Sequence, residues 1–474
     1  MAKRNWVLGL VLGGCAAVAA CSSDNDDNAN TGGTGGTHSV AGSSSGGSAG
    51  KASGGSAGKA AGGTSAAGNA GASDHGGADD GGANNGGANN GGADNGEAGQ
   101  GGEAGGGFVI PNALDPWTVL VPVAAPTTAP NHLLVAGSDF ASSAEVVSVT
   151  LSPAAVGDST TYTDQDTSPV SSGGLGFTLE ATQDKVNLLD GGKVKTTFDL
   201  TDPGTATTAL TANKAYVPLY NNSLISILDL ASNKVSRRID LSQFNDATDT
   251  DGSAEPSSAA YDDAKHTAYF LLQRIDRNAI AADPNFHLPC TAERGLVIGI
   301  DTTTDELVDL NGAADGKGIA LTLVSPSSLS LDSTGSKLTV LASGCYTGNT
   351  LGHQGVEVVD VTAGTTSVAY APTSADFLDG LIITSGTNAL LHSFDTNFGE
   401  HWYKLDLSTG TLGAELTGVP SSVSFDGTDL LGVKVTGKVG AVVRYSISAG
   451  TSTTVTATSW TGQYSSAAGT ALVQ

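Results

Sequence analysis

Along the last three-quarters of the chain, short apolar runs alternate with polar turns, and almost no segment sustains an apolar period of 3.6 residues over ten positions. The runs Leu224-Ile225-Ser226-Ile227-Leu228-Asp229, Val297-Ile298-Gly299-Ile300-Asp301, Val356-Glu357-Val358-Val359-Asp360 and Tyr403-Lys404-Leu405-Asp406 read as buried strands that end in Asp. Each is followed by a turn and another short strand. Helix should be nearly absent.

A second pattern keeps phase with the first. Pro256-Ser257-Ser258-Ala259-Ala260-Tyr261-Asp262, Pro326-Ser327-Ser328-Leu329-Ser330-Leu331-Asp332 and Pro420-Ser421-Ser422-Val423-Ser424-Phe425-Asp426 share one motif, with a looser copy at Pro372-Thr373-Ser374-Ala375-Asp376-Phe377. The motif Pro lies 34 residues before the strand-ending Asp in two copies, Pro326 to Asp360 and Pro372 to Asp406. Repeats of about 40–50 residues, rich in β-branched side chains and glycine turns, point to a β-propeller. Units begin near Pro169, Pro203, Pro256, Pro326, Pro372, Pro420 and Tyr464. The last of these stops after its first strand, while His132 to Leu151 supplies later strands without a first one. Joining the two completes a blade and leaves no open sheet edge. The fold class is therefore all-β, a seven-bladed β-propeller over residues 108–474. Six or eight blades stay open, because the unit from Pro169 to Asp202 is short.

Lys214 to Asn222, continuing through Leu224–Asp229 to Ile239, resembles the YVTN-type β-propeller repeat. That resemblance implies a propeller of about seven blades, usually secreted. It speaks for fold and not for function, since family members do different things.

The N-terminus changes the picture of location. Lys3 and Arg4 precede a short apolar stretch, Trp6 to Ala20, too short and weak for a membrane span. Val18-Ala19-Ala20-Cys21 resembles the lipobox of bacterial lipoproteins, which implies a signal peptide over 1–20 and acylation of Cys21. The expected location is the cell envelope, as an outer-membrane lipoprotein, with the lipid bilayer as a partner. Residues 21–107 hold the lipidated Cys and a stretch dominated by Gly, Ala, Ser, Asn and Asp, with almost nothing large to bury. Such a segment is expected to be a disordered tether spanning roughly 50 Å.

Net charge is −26 over 474 residues. An acidic surface repels phosphate backbones, so nucleic acid is not an expected partner. No CxxC or HExxH occurs, and the G-x-S-x-G matches fall in the tether without a strand-turn-helix setting. No catalytic residue is assigned.

In a four-strand meander, loops between second and third strands share a face with the loops that link blades. Two of them are long, Arg274 to Glu293 and Ser343 to Gly355, and each carries one Cys and one His. A Cys290–Cys345 disulfide joining them is expected, with His287 and His353 as ligand-face candidates. Asp395, Glu400 and His401 cluster near one hairpin of the sixth blade and join that set. Asp249, Asp251 and Gly252 resemble part of a calcium loop, although Ala247 and Ser258 replace the acids at its first and twelfth positions. Calcium is thus the one cofactor suggested, against a solvated acidic turn. The expected function is binding of an envelope protein, a glycan or a peptide by a monomeric propeller on a stalk. The competing expectation is a propeller enzyme, lactonase-like or quinone-dependent, using the central channel.

Overall fold

The structure, a computed structural model, describes residues 121–122, 130–201, 213–245, 249–282, 294–312, 317–347, 350–374, 376–436, 439–458, 460, 464 and 466–474. The signal segment, Cys21 and the whole of the expected tether lie outside these residues, as do His287 and Cys290.

Seven antiparallel sheets form the blades of a β-propeller, six of them four-stranded and that of blade 4 with a fifth short strand, Ile319–Ala320. Blades 2, 4, 5, 6 and 7 run outward in chain order from the inner strands Thr167–Ser172, Pro256–Asp262, Pro326–Leu331, Phe377–Ser385 and Ser421–Phe425. Blade 1 takes its inner strand from the C-terminus: Ser466–Val473 pairs with His132–Ser138, in register from Val473 opposite His132 to Ser466 opposite Ser138. Among the described residues helix is confined to Arg277–Ala282 and two short 3-10 turns, and no helix there is long and apolar enough to cross a membrane.

Blade 3 departs from expectation. The Pro203 region lies outside the described residues, and among them the inner partner of Lys214–Leu219 is Val121–Pro122. A segment that precedes blade 1 in the chain thus reaches into blade 3. Two residues of unremarkable sequence carry no signal for this.

Each blade has two apolar faces, and neighbouring blades cover them. Phe177, Leu179, Phe198, Ala215 and Val217 meet between blades 2 and 3, and Tyr216, Ile225, Phe270 and Ile298 between blades 3 and 4. Full burial of each such side chain contributes about 1.5–3 kcal/mol. The packing is uneven around the ring. The cluster between blades 2 and 3 holds 13 buried side chains, whereas that between blades 6 and 7 holds four, Leu390, Trp402, Leu430 and Tyr445. A thinly packed seam is where a cavity can open.

The recurring Asp residues build the turns. At the end of third strands, Asp229, Asp301, Asp360 and Asp406 each accept a hydrogen bond from the backbone N–H two residues on, at 2.7–3.0 Å. At the end of inner strands, Asp262 and Asp426 do the same at 3.0 and 2.9 Å, and Asp332 reaches Ser336 N at 2.9 Å. Asp is used because a short carboxylate stands in for a backbone acceptor in a tight turn. Part of the acidity is therefore architecture.

Candidate functional site

The Pro-Ser-Ser motif opens an inner strand with a residue that lacks a donor, a position where the ladder tolerates Pro. The register then slips, between Pro256 and Ala259, Pro326 and Ser328, and Ser421 and Ser424. A bulge of this kind re-aims side chains. Here the serine pairs Ser257-Ser258, Ser327-Ser328 and Ser421-Ser422 are all turned onto one cavity of about 1000 Å³ at the channel mouth. Some hydroxyls also link elements: Ser258 Oγ accepts from Leu329 N at 3.0 Å, and Ser343 Oγ donates to Leu378 O at 3.1 Å.

From this floor the cavity runs into the seam between blades 6 and 7, along Asp379, Leu381, His392, Glu400 and Trp402 on one side and Val419, Pro420, Val423 and Lys434 on the other. His392 is held on three sides. Its Nδ1 lies 3.1 Å from Asp379 Oδ2, its ring stacks on Trp402 at 4.5 Å, and Phe394 meets it edge-on at 4.8 Å. The His392 side chain is 9% exposed, and its Nε2 has no hydrogen-bond partner among the described residues. An imidazole anchored at Nδ1 by a carboxylate keeps a fixed orientation, and here its Nε2 is itself buried. Gly380 permits this packing, since a Cβ there would lie 3.2 Å from His392 Cβ.

The hairpin above the seam is the loop between second and third strands of blade 6. Asp395 Oδ1 accepts from Asn397 N and Gly399 N, both at 2.7 Å, and closes a tight turn. Phe398 stands at its tip, 50% exposed and with φ +63. A left-handed aromatic residue is strained by about 1–2 kcal/mol.

The expected site residues thus divide. Glu400 lines the cavity, as does His392, which belongs to the same hairpin. Asp395 and His401 are tied to the hairpin frame: His401 Nε2 lies 3.6 Å from Asp395 and its Nδ1 2.9 Å from Glu415 Oε1. The Glu415 hydrogen bond, with Asp395 adding to it, holds the His401 imidazole above its usual value. His353 is exposed, and its carbonyl accepts from Val324 N at 3.2 Å. Cys345 is fully buried in blade 5. Asp379 was not legible in the sequence, because the strand around it carries no motif.

Asp249 and Asp251 sit on the connection into blade 4, where Asp276 joins them from the loop after Leu272. One carboxylate oxygen from each of the three lies within 4.8 Å of the others.

No family profile and no curated protein matches the chain. Solved structures similar to it include a putative 6-phosphogluconolactonase from Bacteroides fragilis, at 14% identity and TM-score 0.45, covering 73% of this chain and 99% of that one. TolB from Acinetobacter baumannii is similar at 9% identity and TM-score 0.39, covering 72% of this chain and 66% of its own. The dihydro-heme d1 dehydrogenase NirN, in complex with DHE, is similar at 12% identity and TM-score 0.41, covering 73% and 76%. The likeness is one of fold.

Proposed function

We propose that this protein is a membrane-tethered binding propeller that takes a glycan chain at its channel mouth. The observation that carries the reading is a cavity of about 1000 Å³ lined by serines and Glu400, with the half-exposed Phe398 two residues along the same hairpin from Glu400. Paired donors and acceptors suit sugar hydroxyls, carboxylates such as Asp379 and Glu400 accept two at once, and an aromatic face covers the apolar side of a sugar ring. Acylation of Cys21, attachment to the outer membrane and a flexible stalk belong to this proposal. So does a Cys290–Cys345 disulfide joining the long loops of blades 4 and 5.

The test is a glycan array probed with the full chain carrying Cys21→Ser, which keeps the protein out of the membrane fraction. Selective glycan binding that is lost in Glu400→Gln and Phe398→Ser is the expected result. Absence of any glycan signal, with retention of a basic peptide instead, would overturn the ligand class.

A second reading rests on His392. With Nδ1 on Asp379 and Nε2 buried without a partner beside the cavity, the imidazole would take a proton from a water only once the seam between blades 6 and 7 opens to admit it, leaving an imidazolium beside Asp379. A hydrolase of small esters or lactones would use such a pair. Turnover of an ester and lactone panel that falls at least a hundredfold in His392→Gln would support it, and no turnover would remove it.

A further inference from the structure

The connection from blade 3 into blade 4 meets the loop after Leu272 through acidic side chains that outnumber the cations beside them. Asp249, Asp251, Glu255 and Asp276 gather here, and Arg277 is the one cation paired with them among the described residues. Its Nε lies 3.2 Å from Asp251 Oδ2 and its Nη2 3.3 Å from Glu255 Oε1. Asp276 accepts only neutral donors, Thr250 Oγ1 at 2.9 Å and Ala279 N at 3.0 Å. Asp249 accepts Asp251 N at 3.0 Å through Oδ1. Its Oδ2 has no partner among the described residues, although the residue is only 8% exposed. A carboxylate oxygen that is buried, unpaired and facing two more carboxylates costs several kcal/mol unless a proton or a cation joins it.

We propose that Asp249, Asp251 and Asp276 form a calcium site that clamps the blade 3–4 connection to the loop between second and third strands of blade 4. All three donors are hard carboxylate oxygens, which select calcium or magnesium over soft metals. A cluster split between two loops does not offer the rigid octahedron that magnesium demands, so calcium is the better fit. Arg277 pairs with Asp251 and Glu255 and, among the described residues, with neither Asp249 nor Asp276. The inference is independent of what the channel binds.

Calcium titrated into the full Cys21→Ser chain, followed by calorimetry and thermal unfolding, tests the site. One equivalent should bind, with an affinity of about 10⁻³–10⁻⁴ M if the site is of the extracellular kind, and unfolding should shift upward by several degrees. Sodium chloride at matched ionic strength should not reproduce the shift, and magnesium should give less of it. Asp249→Asn and the more peripheral Asp276→Asn should each abolish it while the unfolding transition stays cooperative. No binding heat up to about 10 mM calcium, ten times the weakest such sites, overturns the proposal, as does an undiminished shift in both variants.

Discussion

The ammonium of Lys214, at the start of the second strand of blade 3, pairs with Oδ1 of Asp305 in the outer turn of blade 4, and both groups are buried, at 4% and 0% exposure. Tyr216 donates its hydroxyl to the same oxygen, and Arg237 Nη2 donates to the Asp305 carbonyl at 3.1 Å. Burial pushes the Tyr216 phenol well up, and the Asp305 hydrogen bond and charge add to this. Asp305 has φ +59, a conformation that Asn tolerates and Ala does not favour. Asp305→Ala should therefore cost about 3–5 kcal/mol by leaving a buried ammonium unpaired, and Asp305→Asn distinctly less. Urea unfolding of the two variants checks the order; equal, small losses would show that the pair contributes little.

The turn carboxylates set the acid limit of stability. A backbone hydrogen bond from Thr303 lowers Asp301, side-chain and backbone bonds from Ser408 lower Asp406, and backbone bonds from Gly399 and Asn397 lower Asp395. A carboxylate lowered in the folded state stabilises it at pH values above the unfolded value of about 3.9. That stability disappears as pH falls through the folded values. The share of stability that these lowered turn carboxylates supply should be constant from neutral pH to about 4 and then be lost. His401 has the opposite sign. Being raised, its contribution is complete below about 6.5 and fades as pH rises through its folded value. Proton NMR titration of His401, facing Glu415, Asp395 and Tyr403, should show the upward shift reduced in Glu415→Gln, with the part due to Asp395 remaining.

How much could be read from the chain follows from how local each feature is. Ser257-Ser258 and its copies, and the Asp at each strand end, were legible because bulges and turns are made by neighbours in sequence. The blade number followed from their phase. The Val121–Pro122 strand was not legible, since a two-residue pairing with Tyr216 and Ala215 is decided by the closed ring. The same holds for Asp379 beside His392 and for Asp276 beside Asp249. Each pair is brought together by adjacent strands or by loops of different blades, and neither member carries a spacing that betrays the other. Glu400 lines the cavity, whereas Asp395 and His401, two positions that look equally chemical in the chain, hold the hairpin together.

Closure of the ring depends on the C-terminal strand. Thr470 Oγ1 donates to Ser422 O at 2.8 Å, so that strand also touches blade 7, and Gln474 N donates to Gly174 O at 3.0 Å in blade 2. Removing residues 466–474 would bare the edge of His132–Ser138, whose residues from Leu133 to Ser138 are all buried. An exposed apolar edge pairs with other chains. The truncated chain should therefore aggregate and lose cooperative unfolding, and adding the peptide 466–474 in excess should restore part of both. Light scattering and thermal scans decide this; a soluble, cooperatively folding truncation would mean that the ring closes without its last strand.

Phe398 separates function from stability most sharply. Its hairpin is held by Asp395, whose bonds to Asn397 N and Gly399 N do not involve the phenyl ring. Phe398→Gly removes the left-handed strain of about 1–2 kcal/mol, while the added freedom of the unfolded chain offsets about 0.4–1 kcal/mol of that gain. The variant should thus be as stable as the natural chain or slightly more so. If the ring is the apolar contact of a glycan site, affinity should fall about tenfold or more, the scale of one lost aromatic contact of about 1.5 kcal/mol. Stability unchanged with affinity lost marks Phe398 as a binding residue kept in a strained conformation. Unchanged affinity with raised stability would move the site into the channel, to Glu400, His392 and the serines alone.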